Sequence, residues 1–471
     1  MKAVFSMKRL TALLLAILMV LACIACDTAT EPAETTAAAT DPATTEAATA
    51  APDTVVTEAA TTAPETDTEA ATTPAAKPEE TTPDTEDTDE PDDTPIEPTG
   101  KVDTSFPTIE VPDGRIKNII IVIGDGMGKN HITAAEWASG RSFTFDNWNV
   151  VSVNTDSVNP DGTLFTEGFT DSAAAATALA SGQLTVNYYV GLDPEKNEVK
   201  TILDYAKECG KSTGVITTES LSGATPGGFA AHVPDRNQYS QILLSQLKSG
   251  VDLLCGHTDP SCAKIRPGIE SNGYTWCDNF WLMDDDTMAA DKLYWQFDMA
   301  LTDENDPRVY LDEVTVKALD YLDQDDHGFV LMVEQAQVDK HSHNGLIKSK
   351  TAFEYMQRSV KDLNDTVNAI LDWLGDRDDT AILVLADHET GGLLISPNAD
   401  EYANQYKGKG GMNFSYEWTI DSHTNAEVSL YTYGFEVDYS QFEFYADANK
   451  IKNIDVFNLM YDILMNAPKY D

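Results

Sequence analysis

The sequence predicts an α/β protein built on a central, mostly parallel β-sheet, with an insertion, and three observations carry that prediction. From residue 116 onward, short aliphatic runs alternate with helix-like segments; each run ends in acids, hydroxyls or histidine; and one stretch, about 251 to 305, breaks the rhythm. Open α/β sheets place ligand sites in the crevice outside the carboxyl ends of their strands, so the polar run ends mark one cleft.

The elements follow in order. IKNIIIVIGDGMG, from Ile116, is a buried strand followed by a Gly-rich turn, and TDSAAAATALASG, from Thr170, is a helix of strong helix formers entered through Asp171 and Ser172. The helical TILDYAKECG precedes a strand in TGVITTE from Thr213, and the helical EVTVKALDYLD precedes GFVLMVEQA from Gly328. The long helical AFEYMQRSVKDLNDTVNAILDWL leads into AILVLADHETGG from Ala381, and DSHTNAEVSLYTYG ends in an alternating strand. The stretch from about 251 to 305 is rich in Trp, Asp, Gly and Cys without clear periodicity. It reads as an insertion that either borders the site or is a surface excursion.

Ahead of this domain lie two segments of different character. Lys2, Lys8 and Arg9 precede an apolar run from Leu10 to Ile24 that is short for a membrane span, so residues 1–26 read as an export signal. VLAC at Cys23 and CIAC at Cys26 both suit cleavage before a lipid-modified cysteine, against the alternative of an ordinary signal that is discarded. Residues 27–106 are almost wholly Thr, Ala, Pro, Glu and Asp up to about Gly100, with Lys77 the only basic residue there. That composition cannot bury enough apolar surface to offset chain entropy, so it reads as a disordered tether. The expected location is therefore extracellular or on the cell surface, lipid-anchored to a bacterial membrane, with residues 107–471 as the folded catalytic domain. A net charge of −47 makes nucleic acid a poor partner.

Cys209, Cys255, Cys262 and Cys277 would remain in the folded domain, with spacing that fits no zinc pattern. A bond between Cys255 and Cys262 and free buried thiols are both open readings.

Chemistry concentrates at a few positions. Asp339 and His343 lie four apart in VEQAQVDKHSHNG, so on a helix or tight turn they share a face and can share a metal. Asp387 and His388 follow a buried strand, and the turn residues after them permit joint coordination. His423 offers a further nitrogen, and Asp125, between two glycines at a strand end, suits a metal better than a phosphate loop because GDGMG matches neither nucleotide-binding pattern. Donor sets with His suit Zn²⁺, and sets of Asp, Glu and Thr alone suit Mg²⁺. Ser172 or Asp171 could simply cap the Ala-rich helix, whose start is also a favourable place for an anion.

Taken together, GDGMG, TDSAAAATALASG, ATPGGFAAHVPDR, VEQAQVDKHSH, ADHETGG and SHT resemble the alkaline phosphatase family in type and in order. The resemblance implies a three-layer α/β/α sandwich that hydrolyses phosphate monoesters through a phosphoserine at Ser172, with Arg236 gripping the phosphate and Asp171 positioning Arg236. It implies a first zinc on Asp339, His343 and His423, a second on Asp125, Asp387 and His388 beside Ser172, and a magnesium on Asp125, Thr225 and Glu334. At Gly223 the chain departs from the family, where bacterial relatives often carry Asp. Lys340 is therefore expected to lack its acidic partner and to approach the phosphate directly or through water. Besides phosphomonoesters, the expected partners are a membrane, through the lipid anchor, and a second copy in a homodimer. Rival readings are a phosphodiesterase or other hydrolase of the same superfamily, and a non-catalytic phosphate-binding surface lipoprotein.

Overall fold

The computed structural model describes residues 114–280, 285–299, 308–442 and 450–467, so the signal, the tether and the first residues assigned to the catalytic domain lie outside the described residues. Fifteen strands are described: β1 (Asn118–Gly124), β2 (Asn149–Asn154), β3 (Ser212–Thr217), β4 (Leu253–His257), β5 (Thr275–Cys277), β6 (Leu293–Phe297), β7 (Phe329–Gln335), β8 (Thr380–Leu385), β9 (Glu389–Thr390), β10 (Leu394–Ser396), β11 (Asn404–Lys407), β12 (Asn413–Glu417), β13 (His423–Thr424), β14 (Val428–Tyr433) and β15 (Lys450–Lys452).

Ten of them form one sheet in the order β15-β2-β14-β8-β1-β7-β3-β4-β6-β5. Every pairing is parallel except the two made by β14. β1, β7 and β8 are buried along their whole length, as strands covered by helices on both faces must be, which is why they read as continuous aliphatic runs.

Two groups of helices cover the sheet and complete the three layers. One gathers Lys129–Ser139, Leu311–Leu322 and Ser349–Leu374, and the other Ser172–Ser181, Ile202–Glu208, Ala224–Ala230 and Asn453–Asn466. In the 349–374 helix, Phe353, Met356, Val360, Leu363, Val367, Ile370 and Leu374 recur every three or four residues and form the buried face. The Ala-rich helix is different: all ten of its residues are buried, and small side chains let it lie close to the 224–230 helix.

The stretch from about 251 to 305 departs from the expected irregular insertion. Among its described residues, β4, β5 and β6 extend the main sheet in parallel register, with helices Pro260–Ser271 and Asp285–Met288 between them. The periodicity was hidden because LLCGH and LYWQF are short and, apart from the last residue of β4, buried throughout, so neither alternates. Cys255 is a buried free thiol, so the Cys255–Cys262 bond is not formed.

Register places the cleft. Ile123 lies opposite Glu334 and Leu385, and Thr217 lies opposite Glu334, so β8, β1, β7 and β3 end at one level. The segments beyond those four ends carry the chemistry-bearing residues.

Candidate functional site

Ser172 is the first residue of the Ala-rich helix, and Asp171 is its cap, in extended conformation, with Oδ1 accepting from the Ala174 N–H at 3.0 Å. Asp171 Oδ2 accepts from Arg236 Nη1 at 3.1 Å and from the Tyr188 N–H at 3.1 Å, while the Arg236 N–H donates to the Tyr188 carbonyl. One carboxylate thus caps the helix and anchors the guanidinium at Nη1. Burial disfavours the Arg236 charge, but Asp171 outweighs it and raises the pKa of Arg236. Tyr188 holds this arrangement in the left-handed region, with φ of 75°.

With capping done by Asp171, the Ser172 hydroxyl is directed elsewhere: its Oγ lies 3.1 Å from Nε2 of His388. The same Nε2 is 3.3 Å from Asp387 Oδ2 and 3.5 Å from Asp125 Oδ1. Asp387 is oriented by the N–H groups of Gly126 and His388, which both donate to Oδ1 and leave Oδ2 facing the cleft. Gly126 has φ of +70°, and an added Cβ would meet Thr390 Oγ1 at 2.7 Å and Asp339 Cβ at 2.9 Å, so only glycine fits between these groups.

Asp339 and His343 share one face of the helix Gln337–Ser342 and its cap, and Asp339 Oδ1 is 3.3 Å from His343 Nε2. His423 arrives from the two-stranded pairing of β13 with β9, where it lies opposite Thr390; its Nε2 is 3.6 Å from Asp339 Oδ1. All three imidazoles are tied at Nδ1: His343 to the Asp421 carbonyl and His423 to the Thr170 carbonyl, each at 2.8 Å, and His388 to Thr390 Oγ1 at 3.3 Å. A carbonyl acceptor requires Nδ1 to carry the proton, which leaves an Nε2 lone pair on the cleft side. Thr390 in turn donates its hydroxyl to Asp339. Burial lowers the pKa of His388 and of His423, favouring the neutral form that binds metals.

Two groups of donors therefore converge. Asp339, His388 and His423 offer atoms within 4.8 Å of one another, as do Asp125, Asp387 and His388. His388 belongs to both, whereas the sequence assigns it to the second group alone; His343 joins the first through Asp339.

The oxygen side lies across β7. Glu334 is wholly buried, and burial, followed by the charge of Glu219, pushes its carboxyl up to about 8. Burial also pushes Asp387 up to about 7, and burial with Asp387, Asp339 and Glu334 raises Asp125. Burial raises Asp339 too, but His343, His423 and His388 outweigh it and hold that carboxyl well below the usual range. Asp125 Oδ1, Asp387 Oδ2, Thr225 Oγ1 and Glu334 Oε1 are buried without a hydrogen-bond partner. So many unpaired oxygens in one buried place suit cations, which is the test that the expected metal ligands meet.

Lys340 departs from its expectation. Its ammonium does not lack an acid, because Glu219 Oε2 accepts from Nζ at 2.6 Å, supplying the carboxylate that position 223 does not. Glu219, Thr390, Tyr188 and Thr217, whose hydroxyl donates to Glu334, were not identified from sequence. Glu219 and Thr217 lie in TGVITTE, a run end of the kind that marked the other site residues.

Comparison with known proteins bears on most of the domain. The family model described as alkaline phosphatase matches residues 116–254 and 292–463 and passes over 255–291. Alkaline phosphatase 4 of Bacillus subtilis (strain 168) is 30% identical over 304 residues, 61% of this chain and 64% of its own length. Alkaline phosphatase 3 of the same strain is 29% identical over 300 residues, 59% of this chain and 62% of its own. The matches thus span less than two thirds of either relative. The solved alkaline phosphatase from the Antarctic bacterium TAB5 superposes with a TM-score of 0.61 at 21% identity, covering 76% of this chain and 99% of that one, a likeness of fold.

Proposed function

We propose that this chain, which belongs to the alkaline phosphatase family, hydrolyses phosphate monoesters through a phosphoserine at Ser172. The observation that carries the reading is the meeting, in one cleft, of a serine hydroxyl freed from capping, an oriented guanidinium and two groups of buried metal donors.

Asp339, His343 and His423 would hold one zinc ion, Asp125, Asp387 and His388 a second, and Asp125, Thr225 and Glu334 a magnesium ion. When bound, such ions neutralise the charge gathered on phosphate and leaving oxygens and lower the pKa of the serine hydroxyl. Arg236 binds two oxygens of the terminal phosphate with its planar fork, and Asp171 holds that fork in place. Ser172 Oγ attacks phosphorus in line with the leaving oxygen, so the Oγ–P bond forms as the bond to the alcohol oxygen breaks. Water then cleaves the phosphoserine, releasing inorganic phosphate and restoring the hydroxyl. The helix start behind Ser172 favours the anionic charge on the phosphoryl group.

The composition of the first 106 residues supports export and a lipid anchor at Cys23 or Cys26, which would hold the enzyme at the surface of a bacterial membrane. Ser172→Ala in purified, zinc-loaded protein is expected to lower kcat by at least about 1,000-fold. Survival of wild-type activity overturns the assignment, as does a clear preference for phosphodiesters over monoesters.

A further inference from the structure

We infer that Glu219 is a positioning residue that holds the Lys340 ammonium back from bound phosphate, occupying from four residues upstream the space that Gly223 leaves open; this rests on the phosphate site proposed above. Glu219 Oε2 is 2.6 Å from Lys340 Nζ. A Cβ at Gly223 would lie 2.0 Å from Glu219 Oε1 and 2.4 Å from its Cδ. The backbone there, with φ of −61° and ψ of 160°, is open to any residue. Glycine at 223 thus leaves room for the Glu219 carboxylate where it now lies, and a side chain there would displace that carboxylate without disturbing the chain path.

The turn carrying Glu219 is fastened on both sides. The Glu219 N–H donates to Thr217 Oγ1 at 3.1 Å, and Thr217 donates to Glu334, so the turn is tied to the oxygen side of the cleft. On the other side, the Glu219 carbonyl accepts from the His257 N–H at 2.8 Å, and Ser220 Oγ donates to Asp259 Oδ2 at 2.6 Å. His257 and Asp259 belong to the stretch that the family model passes over. His257, at the end of β4, and Asp259, just beyond it, therefore buttress the turn that carries Glu219.

Lys340 follows Asp339 directly. Its ammonium, on a flexible four-carbon stem and half-exposed, is held by the Glu219 carboxylate on the turn facing it. Removing the Glu219 charge releases it toward an anion bound near Arg236.

The test is calorimetric binding of inorganic phosphate to the full, zinc- and magnesium-loaded chain, with kcat and KM measured alongside. Glu219→Gln is expected to bind phosphate about tenfold more tightly, from one added charged hydrogen bond, with kcat and KM both reduced as release slows. Adding Lys340→Ala is expected to cancel the tightening. Glu219→Ala combined with Gly223→Asp, which returns a carboxylate to the vacated space, is expected to restore wild-type affinity. Unchanged affinity in Glu219→Gln, tightening that persists without Lys340, or no restoration by Gly223→Asp each overturns the inference while the proposed function stands. A wild-type chain that neither binds phosphate nor hydrolyses monoesters overturns the proposed function, and this inference with it.

Discussion

The histidine side and the oxygen side of the cleft hold their donors by different means. On the histidine side each imidazole is fixed at Nδ1 by a single neighbour within the fold, and the facing Nε2 atoms gather around Asp339 and Asp387. On the oxygen side the donors are fixed by burial and by charge, with Glu334 and Asp125 left unpaired at one oxygen each and Lys340 matched to Glu219. The first side resists change at the ligands and yields to change at the atoms behind them. On the second, the carboxylate that faces Lys340 comes from Glu219 and not from position 223.

Thr390 is the sharpest way to break the histidine side. Its hydroxyl accepts from His388 Nδ1 and donates to Asp339, so a single atom links the two donor groups. Thr390→Val keeps the shape and removes both bonds. Zinc affinity, measured by competition with a chelator, is expected to fall roughly 10- to 100-fold while far-ultraviolet circular dichroism stays unchanged. Wild-type affinity in that variant would show that the imidazoles need no such tie.

This contrast also separates what could be read from sequence from what could not. Asp125, Asp387 and His388 were legible because each stands at the polar end of a long aliphatic run, and β1 and β8 form where those runs predict. Asp339 and His343 were legible because helical spacing puts them on one face. Thr390 was not, since its importance comes from the pairing of β9 with β13, each of two residues and too short for any periodicity. Glu219 was not, because an empty Gly223 says only that a side chain is missing, and its replacement depends on which neighbour can fold back into the gap. The parallel extension through β4, β6 and β5 was hidden for a related reason: β4 and β6 are short and almost wholly buried, and β5 has three residues, too few to show alternation.

Asp171, which caps the helix of Ser172 and holds Arg236, separates its two duties under substitution. Asp171→Asn preserves a good helix cap while losing the charge that orients Arg236. KM for a phosphomonoester is therefore expected to rise about tenfold, with thermal stability nearly unchanged. Unchanged phosphate affinity and rate would remove Asp171 from the positioning of Arg236. A large loss of stability would mean that the ion pair supports the fold more than the site.

The smallest expected effect probes the support behind the oxygen side. Gln335, next to Glu334, accepts from Thr218 Oγ1 at 2.9 Å and donates through Nε2 to Asp362 Oδ2. Burial, then the charges of Asp312 and Asp365, push the Asp362 carboxyl up to about 8. In the unfolded chain the same group titrates near about 4. Between those values the folded chain keeps a proton that the unfolded chain has released, so this group's contribution to stability falls as pH rises through the window and levels off above it. Asp362→Asn removes the titration while retaining an oxygen acceptor for Gln335. Thermal unfolding of the variant is expected to lose less between pH 5 and pH 8.5 than the wild type by a few degrees, with the gain concentrated at the alkaline end. Parallel curves for the two proteins would show that Asp362 ionises normally in the fold, and that the oxygen side is braced by hydrogen bonds without a stored proton behind it.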